Sequence, residues 1–324
     1  MKPFGYTAVR DAGEAVRLAS RTAGAAFVAG GTDLLNLMKD GVARPGHLID
    51  VNGLDLANVV ELPTGLRIGG LARMRSVAEH AAVRRDWPVL SEALLASASP
   101  QVRNMASIGG NLLQRTRCGY FRDTGSPCNK RVPGSGCPAV EGWNRGHAVL
   151  GGNDACIATH PSDLAVALIA LDAVVCVRGR GGERKIPIGD FYLRPGATPH
   201  IENALRPAEL ITAVEVPRSA HARKSRYLKL RDRATFEFAV VSVAAAVDLR
   251  GRRVRDVRLA FGGIGTTPWR SPEAEAELRG RDLTAESVAR AGRALVRDAQ
   301  PRHDNGFKVE LVQRAMAELL EGLR

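Results

Sequence analysis

At 324 residues, with 45% hydrophobic and 25% charged residues, the chain has ordinary globular composition and length enough for two domains. Its 46 Lys and Arg against 34 Asp and Glu give a formal charge of +12, but the basic residues are scattered, without the aromatic-interleaved run a nucleic-acid groove wants. No apolar signal-like stretch opens the sequence, and the longest apolar run, AVVSVAAAV over 239–247, falls far short of the ~20 residues that span a bilayer. A soluble protein that binds no nucleic acid and carries no secretory signal of its own is expected.

In chain order, the spacing predicts a helix over 11–21, a short strand over 25–29 and a helix over 32–39. HLIDV ending at Val51 and LRIGG after it read as strands. Two helical stretches flank Trp87-Pro88 between Ser76 and Ser97. From Arg115 to about Asn153 no periodicity persists, and Gly and Pro are frequent; so long a loop in a compact domain needs an organiser, such as a bound metal. PSDLAVALIALDA is helical with Asp163 near its start, VVCVRG is a strand, and 179–184 is a hairpin-like turn. After a polar connector at 217–224 come strands RYLKLRD, FAVVSVAAAVDLR and VRLAFGGIG, then two helices. The pattern is α+β in two units, 1–216 and 222–324, with no solenoid repeat.

Two segments share a form: VAGGTDLL (28–35) and IGGNLL (108–113) each run from an apolar residue through Gly-Gly to a capping-type residue and helical spacing. Paired glycines bring backbone N–H groups close to a ligand, and Thr32 or Asn111 then opens a helix whose positive end favours an anion. Two such loops suit the two phosphates of a dinucleotide; a tight turn without a ligand is the plainer reading of either one. Neither matches the G-x-G-x-x-G fingerprint of nicotinamide sites.

Four of the five cysteines, Cys118, Cys128 and Cys137 in the aperiodic loop and Cys156 soon after it, fall at C-x9-C-x8-C-x18-C. The close C-x2-4-C pairs of structural zinc are absent, as is the tight ferredoxin run. The spacing says four loop-borne thiols and leaves disulfides, zinc and an iron–sulfur cluster open. Cys176, in AVVCVRG, reads as a buried strand residue.

VAGGTDLL, SIGGNLL, HPSDLAVALIALDA and KLRDRATFEFAVVSVAAAV, in that order, resemble the FAD-binding subunits of the xanthine dehydrogenase and molybdenum hydroxylase family over nearly the whole chain. The resemblance implies a two-part FAD-binding region of the PCMH or vanillyl-alcohol-oxidase-like kind, followed by an α+β CO-dehydrogenase-flavoprotein-like domain. The four-cysteine insertion, about 115–157, is similar to that of periplasmic aldehyde oxidoreductases whose FAD subunit adds a 4Fe–4S cluster. A related insertion occurs in 4-hydroxybenzoyl-CoA reductase.

By this resemblance Ala26, Phe27, Val28, Ala29, Gly30, Gly31, Thr32, Asp33 and Leu34 cradle the FAD pyrophosphate. Ser107, Ile108, Gly109, Gly110 and Asn111 make the second phosphate and ribityl contact. Asp163 sits near the FAD, where it also suits a helix N-cap, and Lys229 approaches the flavin, or else is an exposed strand lysine. His160, beside Pro161, is a turn residue without an assigned role. Cys118, Cys128, Cys137 and Cys156 ligate the cluster, with Arg117, Arg122, Lys130 and Arg131 offsetting its charge.

The implied function is electron transfer within a molybdenum-dependent aldehyde oxidoreductase. Its partners are a molybdenum-cofactor large subunit, a 2Fe–2S small subunit and an external electron acceptor, and no residue here is catalytic toward the aldehyde. The implied location is the periplasm, reached with a signal-bearing partner, and otherwise the cytoplasm. The rivals are a subunit of a 4-hydroxybenzoyl-CoA reductase-like or N-heterocycle dehydrogenase, and a basic, metal-stabilised binding module.

Overall fold

A computed structural model describes residues 1–324. The chain begins with a three-stranded parallel sheet of β1 (Gly5–Ala8), β2 (Ala25–Val28) and β3 (His47–Asp50), in the order β1-β3-β2. Parallel neighbours need crossovers, which α1 (Ala12–Arg21) and α2 (Leu34–Lys39) supply. Asp11 caps α1 by accepting from the Glu14 N–H. The chain does not become helical at Thr32: Asp33 is the cap position of α2, and residues 29–32 form a loop beyond the end of β2.

Next come β4 (Val59–Leu62) and β5 (Gly65–Gly69), then α3 (Met74–Glu79), α4 (Ala81–Asp86), α5 (Pro88–Ala96), α6 (Pro100–Met105) and α7 (Ile108–Leu112). The expected pair of helices around Trp87 is three, because His80 is extended and Trp87 leaves helical geometry before Pro88 opens α5. Between α7 and Asp163 the only helix is the single turn α8 (Gly119–Arg122). After α9 (Asp163–Ala170) follow β6 (Val174–Gly179), β7 (Gly182–Pro187), α10 (Ile188–Phe191) and β8 (Leu210–Pro217). An antiparallel sheet of order β4-β5-β8-β6-β7 results. Trp87, wholly buried, ties the helices to this sheet by donating its indole N–H to Pro217 O at 3.2 Å.

The last unit is an antiparallel sheet of β9 (Ser225–Leu230), β10 (Val241–Arg250), β11 (Arg253–Gly262) and β12 (Trp269–Arg270), in the order β12-β11-β10-β9. It is followed by α11 (Pro272–Leu278), α12 (Ala285–Leu295) and α13 (Phe307–Glu321), three helices where two were expected. Side chains alternate across a strand, and β10 uses both faces. Val241, Val243, Ala245 and Val247 join the core beneath α11–α13, while Ala244 and Ala246, with Ala260 of β11, join the core that contains α5 and α9. Alanine on that face lets α9 lie close to the sheet and brings the start of α9 beside β9. No helix is long and apolar enough to cross a membrane.

Candidate functional site

A cavity of about 680 Å³ lies between the loop after β2, helix α7, the start of α9, and the segment around β9. All nine residues from Ala26 to Leu34 line it. The loop's shape demands its glycines. A Cβ on Gly30 would stand 2.0 Å from Met105 O, and Gly31 has a φ of +69°, a region open to glycine at little cost. The N–H groups of Gly30, Gly31, Thr32, Asp33 and Leu34 donate to no protein acceptor. The Ala29 and Thr32 carbonyls, by contrast, accept from Asn52 Nδ2 at 3.1 Å and Asn36 Nδ2 at 2.9 Å. Five successive free donors at a cavity wall suit a phosphate.

The second glycine segment is built differently from the first. Ser107 caps α7 by accepting from the Gly110 N–H at 3.2 Å, so both glycines lie within the helix rather than before it. Ser107, Gly110 and Asn111 line the cavity; Ile108 and Gly109 do not. Ile108 is core, and the Ile108 and Gly109 N–H groups already donate to Ala72 O at 3.0 Å and Gly70 O at 2.7 Å. These two residues, expected at the cofactor, thus lie behind the cavity wall in this structure. Asn111 is fixed by Ser162 Oγ, which donates to its Oδ1 at 2.6 Å.

Asp163 and Lys229 meet at the cavity wall as a buried ion pair, with Nζ to Oδ2 at 2.8 Å and side-chain exposures of 6% and 3%. Lys229 is thus no exposed strand lysine, and Nζ donates also to Ala96 O at 3.1 Å. The cap of α9 is Ser162, not Asp163, which leaves both Asp163 oxygens free for side chains. Oδ2 accepts further from Ser97 Oγ at 2.9 Å, and Oδ1 from the Tyr227 hydroxyl at 2.6 Å. Burial, then the Asp163 carboxylate, pushes the Tyr227 hydroxyl well above its ordinary range, so it stays a donor. Tyr227 escaped the sequence reading. Its signal is position: two residues before Lys229 on β9, it faces the same way.

The four loop cysteines line one small cavity, together with Phe121, Ala139, Ala158 and His147. Every cysteine is free, including Cys176, which is buried on β6 far along the chain. No three His, Cys, Asp or Glu side chains gather as a single-ion site requires. Backbone N–H groups of Phe121 and Tyr120 point to Cys118, and those of Ile157, Ala139 and Val140 to Cys137. His147 Nε2 is 3.2 Å from Cys118 Sγ. Burial pushes the Cys118 thiol up to about 12 and raises Cys137 and Cys156. As bare thiols these three stay neutral, and any metal must displace their protons.

The loop's cations are mostly engaged elsewhere. Arg117 and Arg122 bind Asp33 Oδ1 at 2.5 and 3.0 Å, and the Arg115 N–H donates to Asp33 Oδ2 at 2.8 Å. Lys130 pairs with Glu202 at 2.9 Å. Only Arg131, donating to the Tyr120 and Phe121 carbonyls, lacks a carboxylate partner. His160 stacks edge-on to Tyr192 with centroids 4.3 Å apart; burial pushes it down to about 3, so it stays neutral.

The cavity's volume lies in the range of cofactor sites, and its free amides fit a dinucleotide phosphate. Residues 2–219 match the family described as the FAD binding domain in molybdopterin dehydrogenase, and residues 226–322 the CO dehydrogenase flavoprotein C-terminal domain. The aldehyde oxidoreductase FAD-binding subunit PaoB of Escherichia coli strain K12 is 50% identical over 326 residues, covering 100% of this chain and 99% of that one. The carbon monoxide dehydrogenase medium chain of Hydrogenophaga pseudoflava is 28% identical over 303 residues, 93% of this chain and 88% of its own. A solved structure of carbon monoxide dehydrogenase from Hydrogenophaga pseudoflava superposes with a TM-score of 0.77 at 26% identity, covering 99% and 96% of the two chains. Glycine loop, two-unit architecture and end-to-end similarity converge: the chain belongs to the FAD-binding subunits of the molybdenum hydroxylase family, and so to an oxidoreductase.

Proposed function

We propose that this chain is the electron-transfer subunit of a molybdenum-dependent aldehyde oxidoreductase, with FAD in the large cavity and a 4Fe–4S cluster on Cys118, Cys128, Cys137 and Cys156. The whole reaction takes an aldehyde and water to a carboxylate, releasing two electrons and three protons. A molybdenum-cofactor subunit and a 2Fe–2S subunit complete the assembly, and an external acceptor takes the electrons. The flavin supplies one- and two-electron chemistry when bound, and the cluster one-electron chemistry.

The observation that carries the redox reading is that residues 115–122 wall both cavities. Arg115, Arg117 and Arg122 face the larger; Cys118, Tyr120 and Phe121 face the smaller. The aldehyde assignment is supported by the half-identity to PaoB along the full length. In this reading the Gly30–Leu34 amides hold the pyrophosphate, Ser107, Gly110 and Asn111 hold the middle of the cofactor, and Lys229 presents a fixed positive charge. Export with a signal-bearing partner places the assembly in the periplasm.

The test is an absorption spectrum of the freshly purified full-length chain, with iron, sulfide and zinc assayed on the same sample. Flavin bands over a broad iron–sulfur shoulder, with about four irons per chain, are expected. Flavin without iron or sulfide overturns the cluster, and a colourless zinc protein overturns both. Turnover of the assembled complex with aldehydes, against N-heterocycles and hydroxybenzoyl-CoA, tests the substrate class. Fractionation of cells whose partner lacks its signal tests the export route.

A further inference from the structure

One short helix touches both sites. The loop that leads into α2 supplies the free amides of the large cavity, and Asp33 ends that loop. The Asp33 carboxylate is neutralised and held by the entry to the cysteine loop: two guanidinium groups, Arg117 and Arg122, and the Arg115 N–H. One turn later on the same side of α2, Leu37 packs in an apolar cluster with Phe121 and Cys128, and with Cys118 at its edge. The Leu37 N–H donates to Asp33 O at 3.0 Å, so these contacts sit one helical turn apart on one face. A polar clamp and an apolar contact thus hold α2 against the cysteine loop.

We propose that α2 couples occupancy of the two sites, with Asp33 as the positioning residue. Closure of residues 115–128 around whatever the four cysteines hold sets Arg117 and Arg122 on Asp33. That contact fixes the α2 entry so that the Gly30–Leu34 amides stand ready for the cofactor phosphates. When the cysteine site empties, the loop relaxes, the clamp loosens and the cofactor binds more weakly. Coupling of this kind is reciprocal, so the bound cofactor stabilises the cysteine site by the same factor. The inference rests on the reading of the two cavities as FAD and 4Fe–4S sites.

A double-mutant cycle on FAD affinity tests it. The full-length chain, its Cys137→Ser variant, Asp33→Asn and the double variant are stripped of flavin and titrated with FAD, with iron and sulfide measured on each. Cys137 is chosen because it stands away from the clamp in sequence, whereas Cys118 adjoins Arg117. With Asp33 present, cluster loss should raise the FAD Kd roughly tenfold, within the ~5–150-fold usual for allosteric coupling. In the Asp33→Asn background the same cysteine change should leave the Kd unchanged within about twofold. Equal weakening in both backgrounds, or none in either, overturns the proposal while leaving both cofactors in place. Wild-type chain without iron and sulfide would overturn the cofactor reading and the coupling together. Should Asp33→Asn fail to fold, Arg122→Gln breaks the clamp from the other side and should shrink the coupling in the same way.

Discussion

The two cavities share a wall at residues 115–122 but differ in what builds the rest. Around the large one, positions are fixed by regular structure and by side chains bound to one another: the end of β2, the capped start of α7, and the buried Asp163–Lys229–Tyr227–Ser97 group. Around the small one, the chain from 123 to 162 contains no helix or strand; four cysteines line the cavity, and burial raises the thiols of Cys118, Cys137 and Cys156. The first site is shaped before its ligand arrives. Under the proposed cluster reading, the second takes its shape largely from what it holds, as metal-organised segments do.

The largest effect that would break this contrast is expected at Gly30. Gly30→Val places side-chain atoms where even a Cβ stands 2.0 Å from Met105 O, so the loop must leave its position and flavin occupancy should fall to background. Normal flavin content in that variant would show that the loop is not preformed.

Next is Lys229→Met, which leaves Asp163 buried without its cation. Loss of one partner of a buried pair costs about 3–5 kcal/mol, read as a lower denaturation midpoint for flavin-free protein. An unchanged midpoint would mean that Ser97 and Tyr227 hold the carboxylate unaided.

A smaller global effect is expected from removing the iron of the proposed cluster. Amides between 126 and 146 should exchange with solvent much faster, while those of α9 and β10 keep their protection. Uniform protection before and after would make the cysteine loop as preformed as the flavin loop.

The smallest effect is a pH dependence at Lys308, which is fully buried and donates to His147 O and Gly263 O at 3.0 and 2.6 Å. Burial, then Arg145, lowers its pKa to about 7, whereas an unfolded lysine titrates near 10.4. Between those values the unfolded chain binds more protons, so stability rises with pH, and below about 7 the penalty is constant. The stability of wild type relative to Lys308→Met should therefore climb from pH 7 to 10. A flat difference would show that the two carbonyls keep the ammonium charged.

What the sequence disclosed follows from how local each signal is. Gly30-Gly31 after a short apolar strand marks a turn within a few residues, and the whole span from Ala26 to Leu34 does face the cavity. The second Gly-Gly looks the same in sequence, yet Ser107, two residues before Gly109, takes the cap and draws both glycines into α7. That choice depends on Ile108 entering the core, a tertiary event. The Asp163 group brings residues 97, 163, 227 and 229 together, and no window of the sequence spans them. β1 and β4, four residues each, are too short for an alternating pattern to stand out. The cysteines' gathering was legible from density alone, but the fate of the nearby cations was not. Arg117, Arg122 and Lys130 look like counter-charges for a cluster, and all three are answered by Asp33 or Glu202 from outside the loop.

The C-terminal sheet, with a core on each face, bears on how the chain comes apart. Ala244, Ala246 and Ala260 belong to the same core as Leu164 and Leu168 of α9, while their neighbours on β10 belong to the other. A protease cut at the exposed pair Arg223 and Lys224 would sever the backbone without releasing either half. The two fragments should migrate together under native conditions and separate only in denaturant, so the chain behaves as one folding unit despite being written as two.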